Sequence, residues 1–219
     1  MNQKIDKTLI ITTLLCLLPL VLSAFLYDKL PEQVAIHFNA SGTADDYASK
    51  AFAAFGLPLL FAGLNIILQI VLNNDPKRNN AHILSYLSKW LLPLLSLVFI
   101  PLTLFHSLGY PIGISRLVPI FIALLFLVIG NYLPKCKQNY SVGIRLPWTL
   151  NSETNWNKTH RLAGWIWTIA AIIILISALL DVYTNVVIAL SLIVMVGVPG
   201  IYSFFLYKQE QKEDTTDTH

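Results

Sequence analysis

Six uninterrupted apolar runs constrain this 219-residue chain more than any other feature. Each run is about twenty residues long, which is the length that an α-helix needs to cross roughly 30 Å of hydrocarbon. A backbone in lipid must satisfy its own hydrogen bonds, so each run is predicted to be a helix. The predicted fold class is therefore all-α, a polytopic membrane protein with about six transmembrane helices. The predicted spans are Thr8–Tyr27, Phe52–Leu72, Ser88–Phe105, Ile114–Leu133, Leu162–Leu180 and Val186–Tyr207.

The distribution of charge predicts the orientation of these spans. Only 12% of the residues are charged, against about 25% in a soluble domain. Lys and Arg concentrate in cytoplasmic loops, which predicts both termini in the cytoplasm. The outer segments then carry only Lys29, Lys50 and Arg116 as basic residues. The net charge of +3 therefore reflects membrane topology, and direct nucleic-acid binding is not expected.

Two long polar segments remain, one on each side of the membrane. Pro31–Lys50 is predicted to face outward, and Pro134–Arg161 is predicted to face the cytoplasm. The predicted domains are a two-helix module over residues 1–82, with its outer loop at 28–51, and a four-helix module over 83–207, with an inner motif at 130–167. Residues 208–219 are polar and are predicted to form a disordered cytoplasmic tail.

The outer segment has the pattern of a compact loop. Val34, Ile36 and Phe38 alternate with other residues in a short strand-like pattern. The stretch from Asn39 to Gly42 has turn chemistry, with a glycine that can take positive φ. The two acidic residues that follow can cap a short helix that runs into Lys50.

Several side chains in this loop suit a binding surface for a partner. The alternatives are a loop that only caps the helix ends, with His37 bonded to backbone, and a metal site, for which the ligand spacing is insufficient. No metal ion and no cofactor are expected. The candidate binding residues are His37, Phe38, Asn39, Gly42, Asp45, Asp46 and Tyr47.

The inner segment begins irregularly and then becomes helical. Pro134, Gly143 and Pro147 disfavour helix in its first part. Asn151 or Ser152 can cap a helix that starts there. Apolar and aromatic residues then recur at helical spacing, which predicts an amphipathic helix that continues into the fifth span. The residues on its shared face are Trp156, His160, Ala163 and Trp167.

Two interpretations of the inner aromatic and basic residues are open. The tryptophans suit an interfacial aromatic belt, and Arg145 and Arg161 can contact lipid phosphate. Alternatively, one inward-facing pocket or docking surface is lined by Arg145, Trp148, Thr149, Trp156 and His160.

Neither an enzyme nor a carrier has clear support in the sequence. His37 and His160 are predicted on opposite sides of the membrane, and no nucleophile–base or metal motif occurs. The spans hold no deep Asp or Glu, which carriers commonly use. Asn65 and Gln69 in the second span are typical of polar contacts between helices. A non-enzyme is predicted, with a small transporter or exporter of a peptide or other solute as the alternative.

The inner stretch NYSVGIRLPWTLNSETNWNKTHRLAG resembles the signature of the SdpI family of bacterial membrane proteins. The outer stretch LPEQVAIHFNASGTADDYASK resembles the N-terminal module, containing His-Phe-Asn, that is often joined to it. Several inner residues carry this resemblance or lie beside those that do, and they are candidate partner-binding or structural positions. They are Asn139, Gly143, Arg145, Pro147, Trp148, Thr149, Trp156, His160 and Arg161.

This resemblance implies a function that the spans alone do not. It implies a multi-pass protein of the bacterial cell membrane that contacts lipid and gives immunity to a secreted toxin peptide. It also implies a receptor that holds a cognate cytoplasmic repressor at the membrane. The outer loop would then meet the toxin and the inner motif the repressor, and any coupling between them would need helices with two arrangements.

Overall fold

The computed structural model describes residues 6–39 and 41–216, with side chains described up to residue 213. Within this part of the chain, six helical segments are long and apolar enough to cross a membrane. The prediction of a polytopic helical membrane protein is therefore confirmed. The six segments are Lys7–Lys29, Phe52–Asn73, Arg78–Ser107, Ile114–Lys135, Glu153–Leu180 and Thr184–Glu213.

The regular elements follow the apolar runs closely. They are α1 (Lys7–Leu17), α2 (Pro19–Leu26), β1 (Gln33–Phe38), β2 (Ala44–Ser49), α3 (Leu57–Asn73), α4 (His82–Ser107), α5 (Ile114–Tyr132), α6 (Pro147–Asn151), α7 (Glu153–Leu180) and α8 (Thr184–Thr216). Pro19 stands at the first position of α2. Its missing N–H separates α2 from α1 within one span.

The chain forms two compact units. The first contains the chain up to Asn74 together with Tyr86–Ser115, and the second contains Asp75–Ser85 together with the chain from Arg116 onward. This division places most of α4 with the N-terminal helices, whereas the sequence suggested a module boundary at residue 82. The predicted boundary stays a prediction about modules, since compactness alone does not test it.

The first unit is held together by one apolar cluster and several buried polar contacts. Its core consists of Leu30, Val34, Ala53, Ala54, Ile100 and Leu104. The buried Asn65 amide of α3 donates to the Thr12 and Thr13 hydroxyls of α1, at 3.1 Å each. The Ser96 hydroxyl of α4 donates to the Cys16 carbonyl of α1 at 2.8 Å. Asn65 therefore links two helices in this unit.

A strand replaces the helix that was expected after the outer turn. The sequence suggested that Asp45 and Asp46 cap a short helix, but both lie in β2, which pairs antiparallel with β1. Hydrogen bonds from Asn39 N to Thr43 O and from Lys50 N to Glu32 O close the two ends of this hairpin. The helix prediction was wrong because pairing with β1 overrides a weak local preference.

The second unit is built around α7. Ser152 caps this helix by accepting a hydrogen bond from the Asn155 N–H at 3.1 Å, and Glu153 lies in the first turn, as predicted. The core of the unit consists of Ala81, Leu84, Leu133, Cys136, Trp156 and Ala163. One face of α7 is thus committed to protein packing.

The chain after Lys208 is helical where disorder was predicted. Helix α8 continues to Thr216, and the Gln211 amide donates to the Tyr207 hydroxyl at 2.6 Å. Gln, Glu and Lys are good helix formers. Extending an existing helix avoids the unfavourable nucleation step, so a polar composition alone did not exclude helix here. The last predicted tail positions, residues 217–219, lie outside the described residues.

Candidate functional site

The turn of the outer hairpin is fixed by one side chain. The Asn39 side-chain oxygen Oδ1 accepts hydrogen bonds from Ser41 N and Thr43 N, each at 3.0 Å. Gly42 has φ of +78°, as predicted for this turn. A Cβ on Gly42 would lie 2.8 Å from the Cβ of Ser115 at the start of α5. Asn39 and Gly42 therefore set the shape of the loop and allow it to pack closely against the start of α5.

Strand β1 is anchored to the end of α4. Val34 is fully buried, and the Ala35 N–H donates to the Ser107 hydroxyl at 3.3 Å. The Phe38 ring meets the His106 ring edge-on, with centroids 4.9 Å apart. Of the predicted outer residues, Phe38 is thus mainly a packing residue.

Strand β2 presents the exposed side of the hairpin. Asp45, Asp46 and Tyr47 are exposed, and the tyrosine keeps 53% of its accessible surface. The His37 ring Nδ1 lies 2.6 Å from Asp45 Oδ1, and Asp46 accepts a hydrogen bond from the Tyr47 N–H at 2.8 Å. The hairpin therefore offers an acidic and aromatic surface on β2, while β1 is docked on the end of α4.

Side chains that commonly bind metals do not cluster in the part of the chain that the structure describes. No cluster of three or more His, Cys, Asp or Glu side chains occurs among those residues. His37 and Asp45 form a pair that lacks a third such neighbour.

In the inner motif, Asn139 shapes the backbone. Its side-chain oxygen accepts from Ser141 N at 3.0 Å and from Val142 N at 2.8 Å. Its amide donates to the Lys137 carbonyl at 2.9 Å. The side chain is almost fully buried. The Asn139 side chain thus stabilises a turn, in place of regular secondary structure, by hydrogen bonds to the backbone of neighbouring residues.

His160 and Trp156 form the centre of the inner motif. Both side chains have 0% exposure, and their rings stack with centroids 4.0 Å apart. The Ile144 N–H donates to His160 Nε2 at 2.9 Å. Nδ1 lies 2.8 Å from the Trp156 carbonyl. A backbone N–H can only donate, so the ring is a neutral imidazole with its proton on Nδ1.

Gly143 is required by this pair of rings. Its φ is +106°, and a Cβ at this position would lie 2.5 Å from His160 Nε2 and 3.1 Å from the Trp156 ring. The Trp156 indole N–H donates to the Cys136 carbonyl at 2.7 Å. The backbone around Gly143 is thus pressed against the aromatic pair.

Thr149 and Gln138 hold the short helix α6. The Thr149 hydroxyl accepts from Leu146 N at 2.9 Å and contacts the Ile144 carbonyl at 2.8 Å. The Gln138 amide donates to the carbonyls of Thr149 and Leu150, at 3.0 and 2.9 Å. Pro147 occupies the first position of α6, where a missing N–H is harmless.

Asp75 belongs to this motif although it lies 65 residues before Tyr140 in the chain. Its carboxylate is buried and accepts from Lys77 N at 2.7 Å and Tyr140 N at 3.0 Å, and also from the Ser141 hydroxyl. Burial alone would raise the pKa of Asp75. The hydrogen bonds from the Ser141 hydroxyl and from backbone N–H groups outweigh burial and lower the pKa. The only sequence signal was an acidic residue before a proline between two spans.

Two further residues connect the motif to α8. The Trp148 indole donates to the Ser203 hydroxyl at 2.7 Å. The fully buried Asn155 amide donates to the Ser203 carbonyl at 2.9 Å, and its oxygen accepts from the Ser203 hydroxyl at 2.6 Å. Sequence reasoning missed Asn155, because helical spacing alone does not show that its face of α7 is buried.

The predicted pocket is not what these residues form. Thr149, Trp156 and His160 are buried and hydrogen-bonded inside the second unit, so they line no open surface. Trp156 is likewise not a belt residue facing lipid. Arg145 and Arg161 are exposed, and the Arg145 guanidinium donates to the Tyr140 carbonyl at 2.7 Å. The motif is therefore a scaffold that presents two arginines.

The thiol in this scaffold is not poised for chemistry. Burial raises the pKa of Cys136 to about 11, against a smaller opposite effect of the hydrogen bond from Asn139. The thiol is consequently protonated at neutral pH, and a protonated thiol is a poor nucleophile.

The spans and the scaffold define a multi-pass helical protein of the cell membrane. Residues 135–204 match the SdpI/YfhL protein family, and residues 14–62 match a domain of unknown function, DUF1648. The immunity protein SdpI of Bacillus subtilis (strain 168) is 29% identical over 207 residues, covering 93% of this chain and 97% of that protein. The resemblance to the SdpI family that the motifs indicated is thus confirmed over residues 135–204. No solved structure matches it significantly.

Proposed function

We propose that this protein is a membrane immunity protein that gives resistance to a secreted toxin peptide. One observation carries the proposal, the similarity to a protein named as an immunity protein along 93% of this chain. The protein would act by binding, without catalysis or a cofactor. The protonated, buried thiol and the structural role of His160 agree with that.

The outer hairpin is the proposed contact for the toxin. A peptide secreted by cells arrives from outside, where this hairpin is predicted to lie. Asp45, Asp46 and Tyr47 are exposed, while the opposite strand is docked on α4. Strand β1 is fixed and strand β2 presents an open acidic face, which suits a partner with positive charge and apolar side chains, since complementary charge favours encounter.

The inner motif is the proposed contact for a cytoplasmic repressor. Its buried residues are already committed to the scaffold, so Arg145 and Arg161 are the exposed charged groups among the predicted inner residues that can meet a partner. Arginine is well suited to this role because its planar fork binds carboxylates in two places. The scaffold would fix the backbone from which both arginines project.

The first experiment tests immunity and its outer contact together. A toxin-sensitive Gram-positive host would express this protein, and survival against the secreted toxin peptide would be measured. The double variant D45N/D46N is expected to lose protection at an unchanged membrane level. The matched control D28N/D181N removes two exposed acidic charges elsewhere on the predicted outer side and is expected to protect.

The outcomes separate three conclusions. Death of cells that express the wild-type protein in the membrane would refute immunity to that toxin. Survival with both double variants would leave immunity standing and refute the hairpin contact. Efflux of the toxin by the purified protein in vesicles would show that the protein protects by transport and not by binding alone.

A second measurement addresses the repressor. The variant R145Q/R161Q is expected to release the cognate repressor from the membrane fraction while protection persists. K158Q, which removes another exposed cationic residue of α7, serves as the control. Retention of the repressor by R145Q/R161Q would contradict the proposed inner contact.

A further inference from the structure

A cavity of about 250 Å³ lies in the second unit beside the start of α4. It opens where the turn before α4, Arg78–Ala81, meets the turn after α5, Leu133–Lys135. Lys135, Lys137 and His82 are among its lining residues, and no Asp or Glu is among them. The cavity therefore favours an anionic ligand.

Other lining residues of the cavity are apolar. They include Tyr132, Ile83 and Leu84, and Ile83 keeps 46% of its surface exposed. Helices α4 and α5 both span the membrane and have one end here. We therefore expect the cavity at the level where lipid headgroups meet the hydrocarbon, with basic groups and apolar groups side by side.

The walls of the cavity are held together by hydrogen bonds. The Lys137 N–H donates to the Asn80 carbonyl at 3.0 Å, and the Asn80 amide donates to the Gln138 carbonyl at 2.8 Å. The Lys135 ammonium lies 4.7 Å from the centroid of the Tyr132 ring. The two turns are consequently fixed to each other, and a ligand would enter a site that is largely formed.

We propose that this cavity binds the phosphate of an anionic phospholipid, with Lys135 and Lys137 as the charged contacts. The predicted side of the membrane is the cytoplasmic one, where anionic lipids give a negative surface potential. The exposed apolar side chain of Ile83 beside the basic groups favours a lipid over free phosphate, because it can contact the first part of an acyl chain. Lys77 does not serve here, since its ammonium donates to Gln138 Oε1 at 2.7 Å.

The test compares two double variants of the full-length protein in neutral detergent. Binding of phosphatidylglycerol and of phosphatidylcholine would be titrated by native mass spectrometry. The variant K135Q/K137Q removes the proposed contacts. The control K158Q/K208Q removes two exposed lysines of the same unit, so both variants carry the same net charge. Unchanged melting temperatures in phosphatidylcholine would verify that both variants are folded.

The wild-type protein is expected to prefer phosphatidylglycerol. Each lysine near a phosphate contributes about fivefold to affinity, so K135Q/K137Q is expected to bind phosphatidylglycerol about 30-fold more weakly. The control is expected to stay close to the wild-type value. Equal affinities for both lipids, or equal losses in both variants, would overturn the proposal.

Inorganic phosphate separates a lipid from a free anion. If millimolar phosphate stabilises the wild-type protein as much as phosphatidylglycerol does, and K135Q/K137Q abolishes both effects, the site recognises a free phosphate and the lipid assignment is wrong. If phosphate has no effect while phosphatidylglycerol binds, the lipid assignment stands.

Discussion

The replacement of Gly143 by alanine tests the inner scaffold most directly. The residue has φ of +106°, and its new Cβ would lie 2.5 Å from Nε2 of the fully buried His160. Positive φ alone costs about 1–2 kcal/mol for a residue with a Cβ. The imidazole must also move, which breaks the bond from the Ile144 N–H. A buried polar group left unpaired costs about 1–3 kcal/mol.

The expected loss of stability for Gly143→Ala is the sum of these two effects, about 2–5 kcal/mol. The matched control is Gly109→Ala, because Gly109 also has positive φ, +85°, but a Cβ added there would meet nothing within 4 Å. That control should lose only the strain energy. The difference between the variants should therefore be about 1–3 kcal/mol, or several degrees in Tm.

Thermal unfolding in detergent, followed by the fluorescence of buried tryptophan, provides the measurement. A double-mutant cycle with His160→Ala adds a second readout. If the clash with the ring explains the loss, the coupling energy between the two substitutions should be at least about 1 kcal/mol. Equal destabilisation by Gly143→Ala and Gly109→Ala, with no coupling to His160, would refute the reasoning.

Three other substitutions probe separate parts of the two units. Folding lowers the pKa of Asp75 below 3.8, so the ionised carboxylate stabilises the folded protein above that pH and this stabilisation is lost as the pH falls below it. Asp75→Asn should therefore flatten the decline of Tm between about pH 5 and pH 3. Asn155→Ala removes a buried amide that binds α8 and should cost about 1–3 kcal/mol, whereas the exposed Asn157→Ala should be near neutral in the same unfolding assay. Gln69→Leu removes the hydrogen bonds that the Gln69 amide donates to Thr12 and Asn65, but it also removes a buried side-chain oxygen that has no partner among the described residues. It should therefore change stability by less than about 1 kcal/mol; a larger loss would show that this amide has a role beyond helix contact.

Local chemistry was enough to predict several details of the site. Ser152 caps α7 because its side chain precedes the first free backbone N–H groups of that helix. Gly42 takes positive φ because the turn that Asn39 organises requires it. Such features depend on residues within a few positions of one another, so the sequence displays them directly.

Burial of the inner motif could not be predicted in the same way. The spacing of Trp156, His160 and Ala163 shows that they share one helical face, but it does not show whether that face meets lipid, water or protein. The turn at residues 139–143 covers this face and makes it a core. A belt and a pocket were both reasonable expectations until this turn was placed.

Length and hydropathy by themselves determined that the described part of this chain has six helices able to cross a membrane, since each apolar run of about twenty residues satisfies its own backbone hydrogen bonds in lipid as a helix. The tertiary structure alone decided that Asp75 is part of the inner motif, because its partners Tyr140 and Ser141 are far away in the chain. It likewise decided that Asp45 and Asp46 lie in a strand, because β1 supplies the pairing. Contacts between distant residues carry no signature in either segment, and only folding brings them together.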